Sequence, residues 1–192
     1  MTQKQLLPWL LTGTDLGDHL LEIGAGPGAA TEELRKHAKR VTSLEYSHAF
    51  AAGIAHRCQN KNGAVLQGDA STLPFPGKTF SSAIAILVLH HLRSRELQEL
   101  AFAEVFRVLR PGGVFLALDI QDGWLNRMSH FRSTFVPVAA TSAPARLAAA
   151  GFSSVSISFF RRGAYRVRAL RERDTGNSIP SSRRVDAGVL GP

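Results

Sequence analysis

Apolar and polar positions along this chain fall into two alternating rhythms. Short apolar runs at residues 19–23, 41–45, 64–67, 83–87 and 114–118 read as strands covered on both faces. Between them lie stretches with helical spacing, at residues 30–39, from a Ser47 cap to Arg57, and from a Ser94 cap to Leu109. In the last of these Leu97, Leu100, Ala101, Val105, Val108 and Leu109 form one stripe, and Arg110-Pro111-Gly112-Gly113 reads as its stop. Strands that alternate with helices predict a parallel sheet with right-handed crossovers.

The final third breaks the rhythm. Residues 120–140 show no clear period, 142–150 read as a helix closed by Gly151, and 155–160 and 165–170 read as two strands only four residues apart. So short a connection cannot hold a crossover helix, which makes the last two strands antiparallel neighbours. The expected fold is α/β, a mostly parallel sheet of about seven strands ending in an antiparallel hairpin. One domain spans residues 1–171, and 172–192 are expected to form a disordered tail.

Composition narrows the class. The 192 residues are 44% hydrophobic and 20% charged, a globular profile that folds by removing roughly 70% of its unfolded surface from water. Cys58 is the sole cysteine, so no internal disulfide or thiolate zinc centre is expected, no metal is assigned, and a reducing cytoplasm is the default location. The apolar stretch 6–11 is interrupted by Pro8 and is too short for a signal-peptide core or a membrane span. It reads as an amphipathic lead-in.

The net charge of +8 gathers at the carboxyl end, where residues 157–192 hold eight Arg against three Asp or Glu. Arg161, Arg162, Arg166, Arg168, Arg171, Arg173, Arg183 and Arg184 would suit a nucleic acid or an anionic membrane. Aromatic residues among them are sparse, which argues against nucleic acid. We therefore read them as a solvated strand face and a frayed tail, compatible with peripheral contact at a membrane.

Candidate chemistry sits at the ends of the early strands. Glu22, Glu45 and Asp69 follow one another at intervals of 23 and 24 residues, one strand plus one helix with turns, so the three carboxylates return to the same sheet edge. Ligands bind at that edge where strand order reverses. Gly24, Gly26 and Gly28 let the backbone turn sharply and approach a ligand. Glu45 is placed to accept two ribose hydroxyls and Tyr46 to lie against an adenine ring.

Five segments in order resemble one family: Leu21-Glu22-Ile23-Gly24-Ala25-Gly26-Pro27-Gly28, then Glu45, then Gly68-Asp69-Ala70 with Leu73-Pro74-Phe75-Pro76, then Val88-Leu89-His90-His91-Leu92, then Arg107 to Gly113. They resemble the class I S-adenosylmethionine-dependent methyltransferases, in the branch of quinone-ring and other small-molecule enzymes. The likeness covers residues 19–119 and implies a Rossmann-like, doubly wound sheet with S-adenosylmethionine as cofactor. It implies that Gly24, Gly26 and Gly28 make room for the methionine part, and that Glu22 fixes its amino group. Glu45 would hold the ribose, Asp69 the adenine amino group and Ala70 the ring through its N–H, while Ala25 and Leu87 border the ligand. Two positions depart from the branch: Gly77-Lys78 and Phe80-Ser81 stand where it carries acids. Only 18 residues precede the first strand, where many relatives place substrate-covering helices.

His90 and His91 follow strand four and are the candidate bases, His90 being the catalytic candidate, since an imidazole there titrates close to neutrality; the alternative, preferred for His90, is that it packs at the helix start or orients substrate while the other is exposed, and Asp119 is a weaker candidate. Trp124, Met128, Phe131 and Phe135 read as the wall for an apolar small-molecule acceptor, a quinone-type ring or a lipid headgroup, or else as core. The segment after strand four lacks the Asn-Pro-Pro-aromatic signature of methyltransferases acting on DNA bases or glutamine side chains. A single cysteine argues against arsenic methylation. Two rivals remain at this point: a nicotinamide dehydrogenase, which Gly24-x-Gly26-x-x-Ala29 also suits, and a non-catalytic binding protein that uses its arginine-rich end.

Overall fold

A computed structural model describes residues 3–58, 62–129, 133–160 and 163–174. Phe131, Arg161, Arg162, Arg183 and Arg184 lie outside them, as does the expected tail beyond residue 174. In chain order the elements are α1 (Gln3–Leu11), β1 (His19–Ile23), α2 (Ala29–Leu34), β2 (Arg40–Glu45), α3 (His48–Arg57), β3 (Gly63–Gln67) and β4 (Phe80–Ile86). A single 3-10 turn, Leu89–His91, leads to α4 (Arg95–Val108), β5 (Leu109–Ile120), α5 (Trp124–Ser129), α6 (Ala143–Ala149), β6 (Ser153–Phe159) and β7 (Ala164–Leu170).

Among the described residues, seven strands form one sheet in the order β3-β2-β1-β4-β5-β7-β6. The first five run parallel, while β7 lies antiparallel between β5 and β6. The predicted hairpin is therefore present, with its second strand on the inside. Strand order reverses between β1 and β4, which opens a crevice at their carboxyl ends. Two apolar layers cover the sheet. Phe102, Phe115, Phe152 and Tyr165 centre one, and Leu20, Leu34, Leu116 and Leu118 the other.

The edges of elements moved where tertiary pairing overrode local signals. β4 begins at Phe80, and Phe80 pairs with Leu109 before the register jumps to Ser82 opposite Val114. Residues 110–113 thus bulge out of a continuous β5 and do not form a free turn. The Gly112 N–H bonds Arg171 O at 2.8 Å, in a left-handed conformation (φ 82°) that glycine tolerates. Helix α2 is only six residues long. Ser47 and Ser94 cap α3 and α4 as expected, accepting from Phe50 N and Leu97 N, contacts of about 1 kcal/mol each.

The lead-in is more than a flank. It folds as α1 and buries Leu6, Leu7 and Leu10 against α2 and β5. Its carboxyl end is satisfied from the far end of the chain: the Arg166 guanidinium donates to Trp9 O (3.2 Å), Thr12 O (3.0 Å) and Thr14 Oγ1 (3.3 Å). The Trp9 and Phe160 rings pack with centroids 4.9 Å apart. Arg171 does the same for α4, donating to Phe106 O, Arg107 O and Leu109 O and lying 4.5 Å over the Phe106 ring. These two arginines, read from sequence as part of a solvated face, are helix caps.

Candidate active site

A cavity of about 630 Å³ opens at the carboxyl ends of β1, β2 and β4, within the size range of small-molecule sites. Glu22, Gly24, Ala25, Gly26, Glu45, Tyr46, Asp69, Ala70 and Leu87 all line it. Gly28 and His90 do not.

Each acid is held by its own strand's neighbours. Glu22, 2% exposed, is the penultimate residue of β1 and takes hydroxyl hydrogen bonds from Thr31 (2.7 Å) and Ser43 (2.6 Å) on Oε2. Burial pushes its carboxyl above the ordinary value of 4.5, the hydroxyls and the Arg35 charge pull the other way, and Glu45 adds to the rise. Glu45, 7% exposed, accepts Gly26 N–H on Oε2 (2.7 Å) and Ser47 N–H on Oε1 (2.8 Å). Both oxygens keep a second lone pair for a ligand hydroxyl. Asp69 binds Ser71 N–H and Oγ–H through Oδ1. Among the described residues Oδ2 takes no hydrogen bond, so it remains an acceptor at the cavity wall.

The three glycines do different work. At Gly24 (φ 67°) a Cβ would stand 2.2 Å from Val88 Cγ2, so this residue lets the β1 turn lie on the β4 turn. At Gly28 (φ 85°) a Cβ would meet Ile54 and the Arg57 guanidinium, so it packs α2 on α3. At Gly26 (φ 54°) a Cβ meets nothing within 4 Å, which leaves a shelf of bare backbone facing the cavity.

Beyond the acids the wall is largely apolar, with His91 and Arg93 adding ionisable side chains. Leu6, Leu7 and Leu10 of α1 close it on one side and Ile86, Leu87 and Leu118 on another, while Tyr46 and Phe50 stand exposed at the mouth. Leu87 adopts φ 55°, a conformation costing about 1 to 2 kcal/mol for a side-chain-bearing residue. Its N–H is fixed to Leu118 O of β5 at 2.8 Å. The α1 leucines and Phe50 were not foreseen; the spacing of Leu6, Leu7 and Leu10 on one helical face was the available signal.

His90 lies away from the cavity. Its ring is 2% exposed, Nδ1 donates to Asp119 Oδ1, and its backbone N–H reaches Asp119 Oδ2 at 3.2 Å. Asp119 is fully buried and also accepts Ile120 N–H. This pair sits behind the wall and anchors the 3-10 turn. His91, the next residue, lines the cavity, with Nδ1 donating to Thr134 O at 3.2 Å. Phe135 packs edge-on against the His90 ring, whereas Trp124 and Met128 are exposed and do not line the cavity.

Residues 21–117, about half of the chain, match the family described as a methyltransferase domain. The chain belongs to that family. A protein of Mycolicibacterium smegmatis named as a probable S-adenosylmethionine-dependent methyltransferase is 34% identical over 100 residues, covering 52% of this chain and 37% of the relative. A demethylmenaquinone methyltransferase of Tropheryma whipplei is 33% identical over 106 residues, covering 54% of this chain and 42% of the relative. The match thus spans about two-fifths of these relatives' length. The crystal structure of an S-adenosylmethionine-dependent methyltransferase from Mesorhizobium loti shares the fold, with TM-score 0.73 and 17% identity over 87% of this chain and 96% of that one.

S-Adenosylmethionine is the methyltransferase family's cofactor, and the cavity fits it on its own terms. The bare Gly26 shelf admits close approach, the Glu45 lone pairs suit a diol, Asp69 Oδ2 suits an amino group, and Tyr46 and Phe50 offer faces for a planar ring. Glu22 places a buried carboxyl group at the wall, the kind of group that pairs with an ammonium.

Proposed function

We propose that this chain is an S-adenosylmethionine-dependent methyltransferase that methylates a small, largely apolar acceptor. The observation that carries the reading is the convergence of Glu22, Glu45 and Asp69 on one cavity wall beside the Gly26 shelf. When bound, the cofactor supplies a methyl group on a sulfonium, already activated for displacement. The chain's residues align and enclose the reactants. Glu22 receives the ammonium, Glu45 the ribose hydroxyls and Asp69 the adenine amino group.

Leu6, Leu7, Leu10, Ile86, Leu87 and Leu118 exclude water from the remaining space, and alignment in a dry chamber can lower a barrier by about 7 to 11 kcal/mol. Where the acceptor must lose a proton, His91 is the base, because it is the histidine that lines the cavity among the described residues. His90 holds the turn through Asp119. The described lining contains no Ser, Thr, Asn or Gln side chain, and once the three acids are given to the cofactor its polar side chains are Tyr46, His91 and Arg93, few partners for a polyhydroxyl acceptor. The apolar wall favours a quinone-type ring or a lipid, and one relative is named for demethylmenaquinone.

The test is a calorimetric titration of the purified protein with S-adenosylhomocysteine and, separately, with NADH, followed by a screen of ring and lipid acceptors with labelled cofactor. The reading predicts binding of the homocysteine nucleoside and label transfer to an apolar acceptor. Binding of NADH alone would reverse it.

A further inference from the structure

Arg93 stands on a stiff support. The 3-10 turn before it is tied to β5, where the His90 N–H reaches Asp119 Oδ2 at 3.2 Å, and to the segment beyond α5, where the Val136 N–H donates to His90 O at 2.8 Å. Gln98 Nε2 joins these pieces by donating to Leu89 O (3.2 Å) and Val136 O (2.7 Å). The Leu92 N–H closes the turn on Leu89 O, and the residue after Arg93 is Ser94, whose hydroxyl caps α4. Little freedom is left in the backbone that carries this arginine.

Its side chain is not tied down. Arg93 lines the cavity and is exposed. Nearby arginines have carboxylates: Arg95 and Arg146 share Glu99, Arg107 holds Glu104 and Arg127 holds Asp122. Arg93 has no hydrogen-bond or ion-pair partner among the described residues. Among the described lining residues it is also the sole Lys or Arg. The strand order β3-β2-β1-β4-β5 separates the charges along the sheet edge. Glu22, Glu45 and Asp69 belong to β1, β2 and the turn after β3, whereas Arg93 follows β4, on the half of the cavity lined by Leu92, Leu97 and Leu118.

We propose that Arg93 selects the acceptor: it receives an anionic group, a carboxylate or a phosphate, on a molecule whose apolar body enters the chamber. The inference rests on the reading of the cavity as a methyltransferase site and narrows its acceptor to an amphiphilic anion. That reading gives the three lining acids to the cofactor and leaves Arg93 without an opposite charge. An acceptor also meets the cofactor at its positive sulfonium, so an anion is favoured there twice over. A planar guanidinium grips either oxyanion through two parallel N–H donors. Because Arg93 is exposed, the anion stays at the mouth in partial contact with water, while the apolar body displaces water from Leu6, Leu7, Leu87 and Leu118.

The experiment saturates the full chain with S-adenosylhomocysteine and titrates it by calorimetry near neutral pH with naphthoate, naphthyl phosphate and the neutral naphthamide, all substituted at the same ring carbon. Wild type should bind at least one of the anions about tenfold more tightly than the amide, the low end for hydrogen bonds to a charged group. Which anion is preferred tells a carboxylate acceptor from a phosphate one. Arg93→Gln and Arg93→Met should erase the preference while affinity for the amide and for S-adenosylhomocysteine stays at the wild-type level. Arg93→Lys should keep about threefold, since an ammonium supplies charge without the two-pronged geometry. Equal affinity of wild type for anions and amide overturns the proposal, and so does a preference that survives Arg93→Gln. A loss of about tenfold in S-adenosylhomocysteine affinity on Arg93→Gln assigns the arginine to the cofactor's own carboxylate and also overturns it. Absence of S-adenosylhomocysteine binding by wild type overturns the reading of the site, and the proposal with it.

Discussion

Glu45 Oε2 accepts the backbone N–H of Gly26 at 2.7 Å, so the carboxylate expected to hold a ligand also holds the glycine turn. Its other oxygen secures Ser47 N–H at the start of α3. Glu45→Ala removes both contacts, and hydrogen bonds to charged groups are worth about 1.5 to 3 kcal/mol each. We expect S-adenosylhomocysteine affinity to drop about a hundredfold and the melting temperature to fall as well. Asp69→Ala, whose carboxylate holds Ser71 alone among the described residues, should cost roughly tenfold in affinity and leave the melting temperature almost unchanged. Calorimetry and thermal melts together separate the two, and unchanged affinity in both removes the basis for the assignment.

Alanine at the glycines should divide folding from binding. Gly24→Ala drives a Cβ to 2.2 Å from Val88 Cγ2 at positive φ, and overpacking with strain should cost at least about 2 to 3 kcal/mol in denaturant melts. Gly26→Ala meets no atom. It should cost only about 1 to 2 kcal/mol for its positive φ, while the new methyl occupies the shelf and lowers nucleoside affinity at least about tenfold.

The strands and the cavity-lining acids were legible because short apolar runs and the near-equal intervals of 23 and 24 residues are local signals. What escaped was decided by partners far along the chain. Arg110 to Gly113 looks like a stop in isolation, but pairing of Val114 with Ser82 and Leu170 draws it into β5. Arg166 and Arg171 look solvated until the ends of α1 and α4 are brought to them. The choice between His90 and His91 turned on Asp119, 29 residues onward from His90, which no period in the sequence links to either.

Acid should weaken the fold through His19. Its Nδ1 accepts from Arg40 at 2.7 Å and its Nε2–H donates to Thr42 Oγ1 at 2.9 Å, an arrangement only the neutral ring can make. Burial, with the Arg40 and Arg110 charges, holds its pKa below the ordinary 6.5. The unfolded chain therefore takes up a proton below about pH 6.5 while the folded one does not. Unfolding free energy should decline from there down to the lowered value, and be flat above. Urea melts at pH 8, 6 and 5 check this, and His19→Gln should lose the part of the decline that the imidazole causes.

The two adjacent histidines should respond oppositely. His91→Ala should lower kcat about a hundredfold on an acceptor that must lose a proton, with little change in melting temperature. Asp119→Ala strands a buried imidazole and should destabilise by about 3 to 5 kcal/mol. A His91→Ala enzyme with wild-type kcat on such an acceptor would return the base assignment to another group.

Arg166 reaches back across 157 positions to the carbonyl of Trp9, and Trp9 belongs to the helix whose leucines wall the cavity. A ribosome that has made every acid of the site has still not made the strand that anchors this wall. The nascent polypeptide should therefore acquire its grip on a nucleoside late, after β7 has cleared the exit tunnel. Truncations ending before that strand should translate normally yet emerge without a sealed chamber.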